Sequence, residues 1–212
     1  MKTLLISLIV SAFSLPAFAG VMEEVADLQT QWATVNYTLQ DEEQQTAYEN
    51  LVNKANEVVQ TYPDRAESHI WRGIIESSFA GAKGGLGALS LAKAAKSDFE
   101  KAISIDDKAM NGSAYTSLGT LYFKVPGWPL GFGDDDKAEA MLRKALKINP
   151  QGIDSNYFYA QYLIEKKQYK SAELFLNKAK NAAPRPTRPL ADKGRHAEID
   201  QSLKLVMDKL GK

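Results

Sequence analysis

Side chains that could carry out acid–base or metal chemistry are few in this chain of 212 residues. It contains two histidines, His69 and His196, and no cysteine. The histidines are far apart in sequence and no His-Glu-x-x-His motif is present, whereas zinc sites need clustered nitrogen or sulfur ligands. We therefore predict no metal site and no cofactor. The missing cysteine also excludes disulfides and a lipid anchor on cysteine.

Nucleophilic catalysis would need a serine or similar group beside a base. Ser68 precedes His69 directly, but successive residues of a helix point about 100 degrees apart. No Gly-x-Ser-x-Gly elbow is present either. We predict that His69 is hydrogen-bonded or faces solvent, and that the protein is not an enzyme.

Three acidic residues in a row, Asp134 to Asp136, have two interpretations. Clustered carboxylates suit a hard cation such as calcium, but the alternating spacing and final glutamate of a calcium loop are missing. An aspartate at the start of a helix accepts backbone N–H bonds and suits the positive end of the helix dipole. Capping is the favoured interpretation, with a cation site as the alternative.

Glycine-rich stretches mark two insertions. Gly81 to Gly87 contains Lys83, yet no strand precedes it and the phosphate-loop motif is absent, so we predict a flexible or packed loop, with an anion site as the alternative. The second stretch, from Pro126 to Gly133, carries three large apolar side chains. We expect Phe132 to pack against the following helix and Trp128 to be partly exposed for binding.

The charge balance and the N-terminus constrain partner and location. Basic and acidic residues number 26 each, which argues against a nucleic-acid partner. Lys2 precedes an apolar run that ends in Ala17-Phe18-Ala19, a pattern typical of a cleaved signal peptide. We predict a signal peptide at residues 1–19, a periplasmic or secreted protein, and no membrane span after cleavage.

The elements that would position these residues are helices throughout. Apolar residues recur at helical spacing from Met22 almost to Leu210, and no stretch alternates convincingly as a strand would. The predicted helices span about 22–39, 42–61, 65–80, 89–105, 110–123, 135–148, 155–166, 169–182 and 190–210.

A repeat organises these helices. Ala138-x3-Leu142-x2-Ala145-x4-Pro150 recurs 34 residues later as Ala172-x3-Leu176-x2-Ala179-x4-Pro184. That period is typical of stacked helical hairpins. An earlier copy, with Gly73, Ala95, Phe99 and Ala102, lacks the proline, and the middle copy carries an insertion of about seven residues relative to the 34-residue template.

These positions resemble the tetratricopeptide repeat family. The middle repeat matches all eight signature positions: Tyr115, Leu118, Gly119, Tyr122, Ala138, Leu142, Ala145 and Pro150. The third repeat keeps Ala160, Ala172, Leu176, Ala179 and Pro184. The resemblance implies an all-α, right-handed solenoid of antiparallel helical hairpins, about three repeats with capping helices at both ends.

The boundaries follow from that register. Residues 20–212 form one helical domain, with a leading pair at 20–63, repeats at 64–107, 108–150 and 151–184, and a linker with a capping helix at 185–212. Family geometry implies a concave surface lined by Thr116, Thr120, Phe123, Tyr157 and Gln161.

The resulting functional hypothesis is a non-catalytic periplasmic scaffold that binds a protein or peptide through its concave face and its inserted loops. The two glycine-bearing insertions are also similar to the T component of tripartite ATP-independent periplasmic transporters. That resemblance implies the alternative of a transport accessory that associates with a solute-binding protein. A homo-oligomer is left open.

Overall fold

The computed structural model describes the backbone of residues 15–212 and the side chains of residues 20–212 other than Leu86. Over that range the regular structure is helical. Its elements are α1 (Leu15–Thr38), α2 (Asp41–Thr61), α3 (Ala66–Lys83), α4 (Gly85–Ile105), α5 (Ala109–Lys124), α6 (Asp135–Ile148), α7 (Ile153–Glu165), α8 (Tyr169–Lys180) and α9 (Pro189–Leu210).

Consecutive helices pair into hairpins, and each hairpin packs on the next. The pairs are α1 with α2, α3 with α4, α5 with α6, and α7 with α8. Contacts from α3 to α5 and from α5 to α7 align the first helix of each hairpin along one surface. The predicted all-α architecture of stacked helical hairpins is confirmed.

Small residues allow the two helices of a hairpin to cross closely. A Cβ on Gly73 would lie 2.7 Å from the ring of Phe99, and one on Gly119 would lie 2.8 Å from Cγ of Leu142. The side chains that face Gly119 from α6 are those of Leu142 and Met141. The glycine therefore receives the large apolar residue of the partner helix.

The repeat signature forms much of the core. Its apolar members are almost completely buried: Ala95, Phe99, Ala102, Tyr115, Leu118, Tyr122, Ala138, Leu142, Ala145, Ala160, Ala172, Leu176 and Ala179. The two prolines differ, because Pro150 and Pro184 are exposed and follow the ends of α6 and α8. Proline cannot continue a helix, so this placement limits each second helix.

The prediction of a loop at Gly81–Gly87 is wrong. Helix α3 continues to Lys83 and α4 begins at Gly85, so only Gly84 separates them. Its φ of +61° suits glycine and reverses the chain. Lys83 stacks on the ring of Phe79 at 4.9 Å and pairs with Glu49 at 3.7 Å. Most of the first insertion therefore lengthens the hairpin, and its lysine contacts the protein itself.

The beginning of α5 also departs from a regular helix. Met110, Asn111 and Gly112 all have left-handed backbone angles, with φ of 48°, 57° and 73°. The right-handed helix therefore starts after Gly112, three residues later than the predicted start at residue 110. Gly112 itself packs closely on Ile148 of α6.

The predicted signal peptide falls mainly on residues 1–14, which lie outside the described residues, and its cleavage stays a prediction. Among the described residues, no helix combines the length and apolar character needed to cross a membrane.

Candidate binding surfaces

The C-terminal helix lies across the hairpins as well as beside the last one. Helix α9 packs against α8, α7 and α1, so it joins the two ends of the stack. Gly194 makes this crossing close, because a Cβ there would overlap the ring of Tyr37 on α1. The sequence predicted α9 as an end cap, and the structure adds a contact with the N-terminal helix.

A partly buried charge cluster holds the first half of α9. Arg195 donates from Nε to Asp154 Oδ1 at 2.9 Å, and its guanidinium stacks 4.5 Å from the ring of Tyr157 and 4.6 Å from that of Phe158. It also pairs with Glu198 on its own helix. An aromatic pair and a carboxylate thus enclose one guanidinium.

Arg185 enters the same cluster from the linker before α9. It donates to Asp154 Oδ2 at 2.5 Å and to Asp192 Oδ1 at 2.6 Å. Burial alone would raise the pKa of Asp154, but the guanidinium groups of Arg195, Arg185 and Arg188 outweigh it and lower that pKa to about 2. Asp154 therefore stays ionised and anchors the segment from α7.

Arg188 is the third guanidinium, and it lies 5.0 Å over the ring of Trp71 on α3. Burial and the neighbouring charge of Arg185 lower the pKa of Arg188 to about 10. Its Nε and the indole Nε1 of Trp71 are both buried without a hydrogen-bond partner among the described atoms. Two donors therefore remain unsatisfied side by side, and such groups cost free energy.

The predicted concave-surface residues are partly covered by this arrangement. Thr116 and Tyr157 are buried, and Gln161 donates to Ser202 of α9 at 2.7 Å. Thr120 and Phe123 are half-buried, with Phe123 edge-on to Tyr162 at 5.8 Å. Other parts of the same protein, including α9, therefore cover three of the predicted binding residues: Thr116, Tyr157 and Gln161.

His69 is hydrogen-bonded, as predicted from the sequence. Its Nδ1 lies 2.8 Å from Asp98 Oδ1 and its Nε2 lies 2.9 Å from the Pro63 carbonyl oxygen. Because both partners are acceptors, both ring nitrogens can donate only when the imidazole is protonated. The ring has no free nitrogen for a metal or a substrate.

Two further charged side chains of α3 lie in the same region: Glu76 is buried and Arg72 is half-buried. Arg72 donates to both carboxylate oxygens of Asp98 at 2.6 Å and to Asn56 Oδ1 at 3.2 Å. Burial and the charge of Asp98 raise the pKa of Glu76 to about 7, although Arg72 opposes the shift. These polar groups replace apolar packing inside the first hairpin, which explains its weak repeat signature.

The loop between α5 and α6 is ordered and exposes two apolar side chains. Gly133 N donates to Pro126 O at 2.9 Å, Leu130 N donates to Gly127 O at 3.1 Å, and Asp134 N donates to Tyr122 O at 2.9 Å. Phe132 packs edge-on at 6.0 Å against Tyr122 of α5, the preceding helix, whereas the sequence analysis placed it against the following helix. Trp128 and Leu130 instead project outward, 89% and 73% exposed.

The acidic run after this loop is a helix cap. Asp134 Oδ1 accepts from the backbone N–H of Lys137 at 3.0 Å, and Asp135 pairs with Lys166. The capping prediction is confirmed. No group of three or more metal-binding side chains occurs among the described residues.

Sequence reasoning did not find Asp98, Asp154 or the arginine cluster, although one signal was present. Gly194 lies 34 residues after Ala160, so the repeat period continues into α9. The corresponding residue of each hairpin is small, namely Gly73, Gly119 and Ala160. The period would therefore have predicted a close helix contact at Gly194.

The geometry defines a class of protein, an all-α repeat of helical hairpins with an extra helix across one side. Residues 130–191, which include α6, α7 and α8, match the tetratricopeptide repeat family. A comparison with curated proteins gives no significant match. Among solved structures, one described as the functional characterisation of Pseudomonas aeruginosa pilF is similar, with a TM-score of 0.35 and 13% identity over 90% of this chain and 93% of that chain.

Proposed function

We propose that this protein is a non-catalytic scaffold of the periplasm that binds a protein partner through the loop at residues 125–134. The main support for this proposal is the exposure of Trp128 and Leu130 on a loop that is closed by its own backbone hydrogen bonds. The family match of residues 130–191 supports a role in protein–protein interaction. The predicted signal peptide supports the location.

The loop is built to hold these side chains in place. A Cβ on Gly131 or Gly133 would overlap the backbone of Val125 or Pro126, so the chain approaches itself closely there. An ordered loop loses less conformational entropy on binding than a flexible one does. Trp128 and Leu130 can therefore insert into an apolar cleft of a partner with little reorganisation.

Alternative interpretations fit the loop less well. Large exposed apolar side chains reduce solubility and contribute nothing to the core, so a purely structural loop would turn them inward, as it does Phe132. Interface energy concentrates in a few aromatic anchors, and Trp128 has the exposure that such an anchor requires.

Trp128→Ala, compared with Phe132→Ala, tests this proposal. Partners are first captured from periplasmic extract with the parent protein, and their affinity is then measured by isothermal titration calorimetry. We expect Trp128→Ala to keep the parent melting temperature and to lose about 2 kcal/mol or more of binding free energy, as anchors do. Phe132→Ala should lower the melting temperature. Unchanged affinity in Trp128→Ala would refute the loop as the binding surface.

The transport-accessory alternative makes its own prediction for the same capture experiment. If the protein is a transport accessory, a solute-binding protein should be among the recovered partners, and light scattering should show that the protein itself is an oligomer. A monomer that recovers an unrelated protein would favour the scaffold alone.

A further inference from the structure

The face of the hairpin stack that contacts the first half of α9 has the features of a receptor site. We define it by Tyr37, Trp71, Asp154, Tyr157 and Phe158, and call it the guanidinium face. Its occupant is the chain's own segment from Arg185 to Arg195. We propose that this face binds an arginine-bearing segment of a partner protein, and that residues 185–195 occupy it in its absence.

The chemistry of the face is specific for guanidinium. Arg195 is stacked on Tyr157 and Phe158 and paired with Asp154, while Arg188 lies over Trp71. A planar guanidinium stacks on aromatic rings and pairs with a carboxylate in fixed geometry, whereas an ammonium does neither as well. The site therefore distinguishes arginine from lysine.

The side-chain contacts of residues 185–195 are largely ionic, whereas Ile199 and Val206, further along α9, are fully buried in the hydrophobic core. The ionic part of the segment is the exchangeable part. Five residues of α9 are buried, and two of them, Asp192 and Arg195, are charged. The attraction within a buried ion pair is largely offset by the free energy that the two charges lose when they leave water. Such pairs therefore contribute more to specificity than to net stability. A second segment with the same groups could take over these contacts.

The present occupant also fits imperfectly. Arg188 Nε and Trp71 Nε1 are buried donors without acceptors among the described atoms. A partner segment that places a carboxylate or carbonyl oxygen beside Trp71 Nε1 would satisfy that donor, and displacement of residues 185–195 would return Arg188 to water. Such a segment would bind more tightly than the chain's own segment. The Pro-rich linker, with Pro184, Pro186 and Pro189, connects the occupant to α8 without helical continuity.

The first test uses the unaltered full chain. A synthetic peptide of residues 184–203 is added at about millimolar concentration, because a tethered segment competes at that effective concentration. Hydrogen exchange is followed by mass spectrometry. We expect faster exchange of the α9 amides, with α7 still protected. Unchanged exchange in α9 would overturn the proposal.

The second test weakens the internal occupant. Gly194→Leu should displace α9, because its side chain would overlap Tyr37. We expect the affinity of this variant for the labelled peptide to be at least about tenfold higher than that of the parent. The reason is that its own residues 185–195 no longer compete for the face. A peptide with Arg195→Lys should bind about tenfold more weakly. Equal affinity for the two peptides would refute guanidinium recognition.

Circular dichroism checks that Gly194→Leu keeps its helices, and if it does not, the exchange experiment on the parent decides alone. Light scattering is expected to show a monomer. A dimer that exchanges α9 between its copies would overturn the assignment to a separate partner. Trp128 is exposed and is not one of the residues of the guanidinium face, so Trp128→Ala should bind the peptide as the parent does. This variant separates the present proposal from the loop proposal.

Discussion

At the residue scale, Gly119 illustrates how one missing side chain shapes a hairpin. Any Cβ there would press on Leu142, whose own position is fixed in the core. We expect Gly119→Leu to reduce the free energy of unfolding by about 1 to 3 kcal/mol through overpacking. Chemical denaturation measures it. Gly81→Leu is the matched control, because Gly81 is a helical glycine with open space around it and should tolerate leucine. Equal effects in both variants would contradict the crossing.

Glu76 provides a second residue-scale prediction, concerning pH. Burial first, and then the charge of Asp98, raise its pKa from 4.5 to about 7, with Arg72 opposing. The folded state therefore holds a proton that the unfolded state releases above about pH 4.5. Stability should fall as pH rises from about 4.5 to 7, because the unfolded state binds fewer protons there. Glu76→Gln should remove that part of the dependence, as followed by melting at several pH values. A profile unchanged by the substitution would show that Glu76 is ionised throughout.

At the element scale, the attachment of α9 depends on Asp154. This side chain is one-third exposed but pairs with both Arg185 and Arg195. We expect Asp154→Asn to destabilise the protein by about 1 to 3 kcal/mol, less than a fully buried pair would give, and to increase exchange in α9. Because the pKa of Asp154 is lowered to about 2, its contribution in the parent should disappear as pH falls from about 4 to 2.

The control for the Asp154→Asn prediction is an ion pair between α9 and α8. Asp200 pairs with Lys180 at 2.8 Å, but both side chains are about half exposed. Asp200→Asn should change stability by about 0 to 1 kcal/mol, as exposed pairs do. If the two substitutions had equal effects, the cluster around Asp154 would not be the attachment of α9.

At the scale of the whole molecule, α9 connects the N-terminal pair to the last hairpin. Tyr37 packs over Gly194 at this junction, next to Trp32 at 5.6 Å. We expect Tyr37→Ala to lower the free energy of unfolding by about 1 to 3 kcal/mol. Exchange should increase in α1 and α9 together, because each end protects the other. An increase confined to α1 would show that the two ends are independent.

The sequence by itself determined the helices and their pairing. Helical periodicity is local, and the second helices of the last two hairpins repeat the pattern Ala-x3-Leu-x2-Ala with a period of 34 residues, from Ala138 to Ala172. Exposure of Trp128 could also be predicted, since a proline- and glycine-rich loop limits which side chains reach the core. That Phe132 packs was predicted as well, but its ring lies against Tyr122 of the preceding helix α5 and not against the following helix. The capping role of Asp134 followed from its place before α6.

Only the tertiary structure decided what covers the concave side and which charges meet. Asp154 and Arg195 are 41 residues apart, and Asp98 and His69 are 29 apart, so no local pattern connects them. The stretch at Gly81–Gly87 could not be read correctly because two adjacent glycines with positive φ, Gly84 and Gly85, turn the chain where a whole loop was predicted. The path of α9 likewise depends on Gly194 meeting Tyr37, a contact between the two ends of the chain. Local propensity sets the elements, whereas long-range packing and charge pairing set where the last one lies.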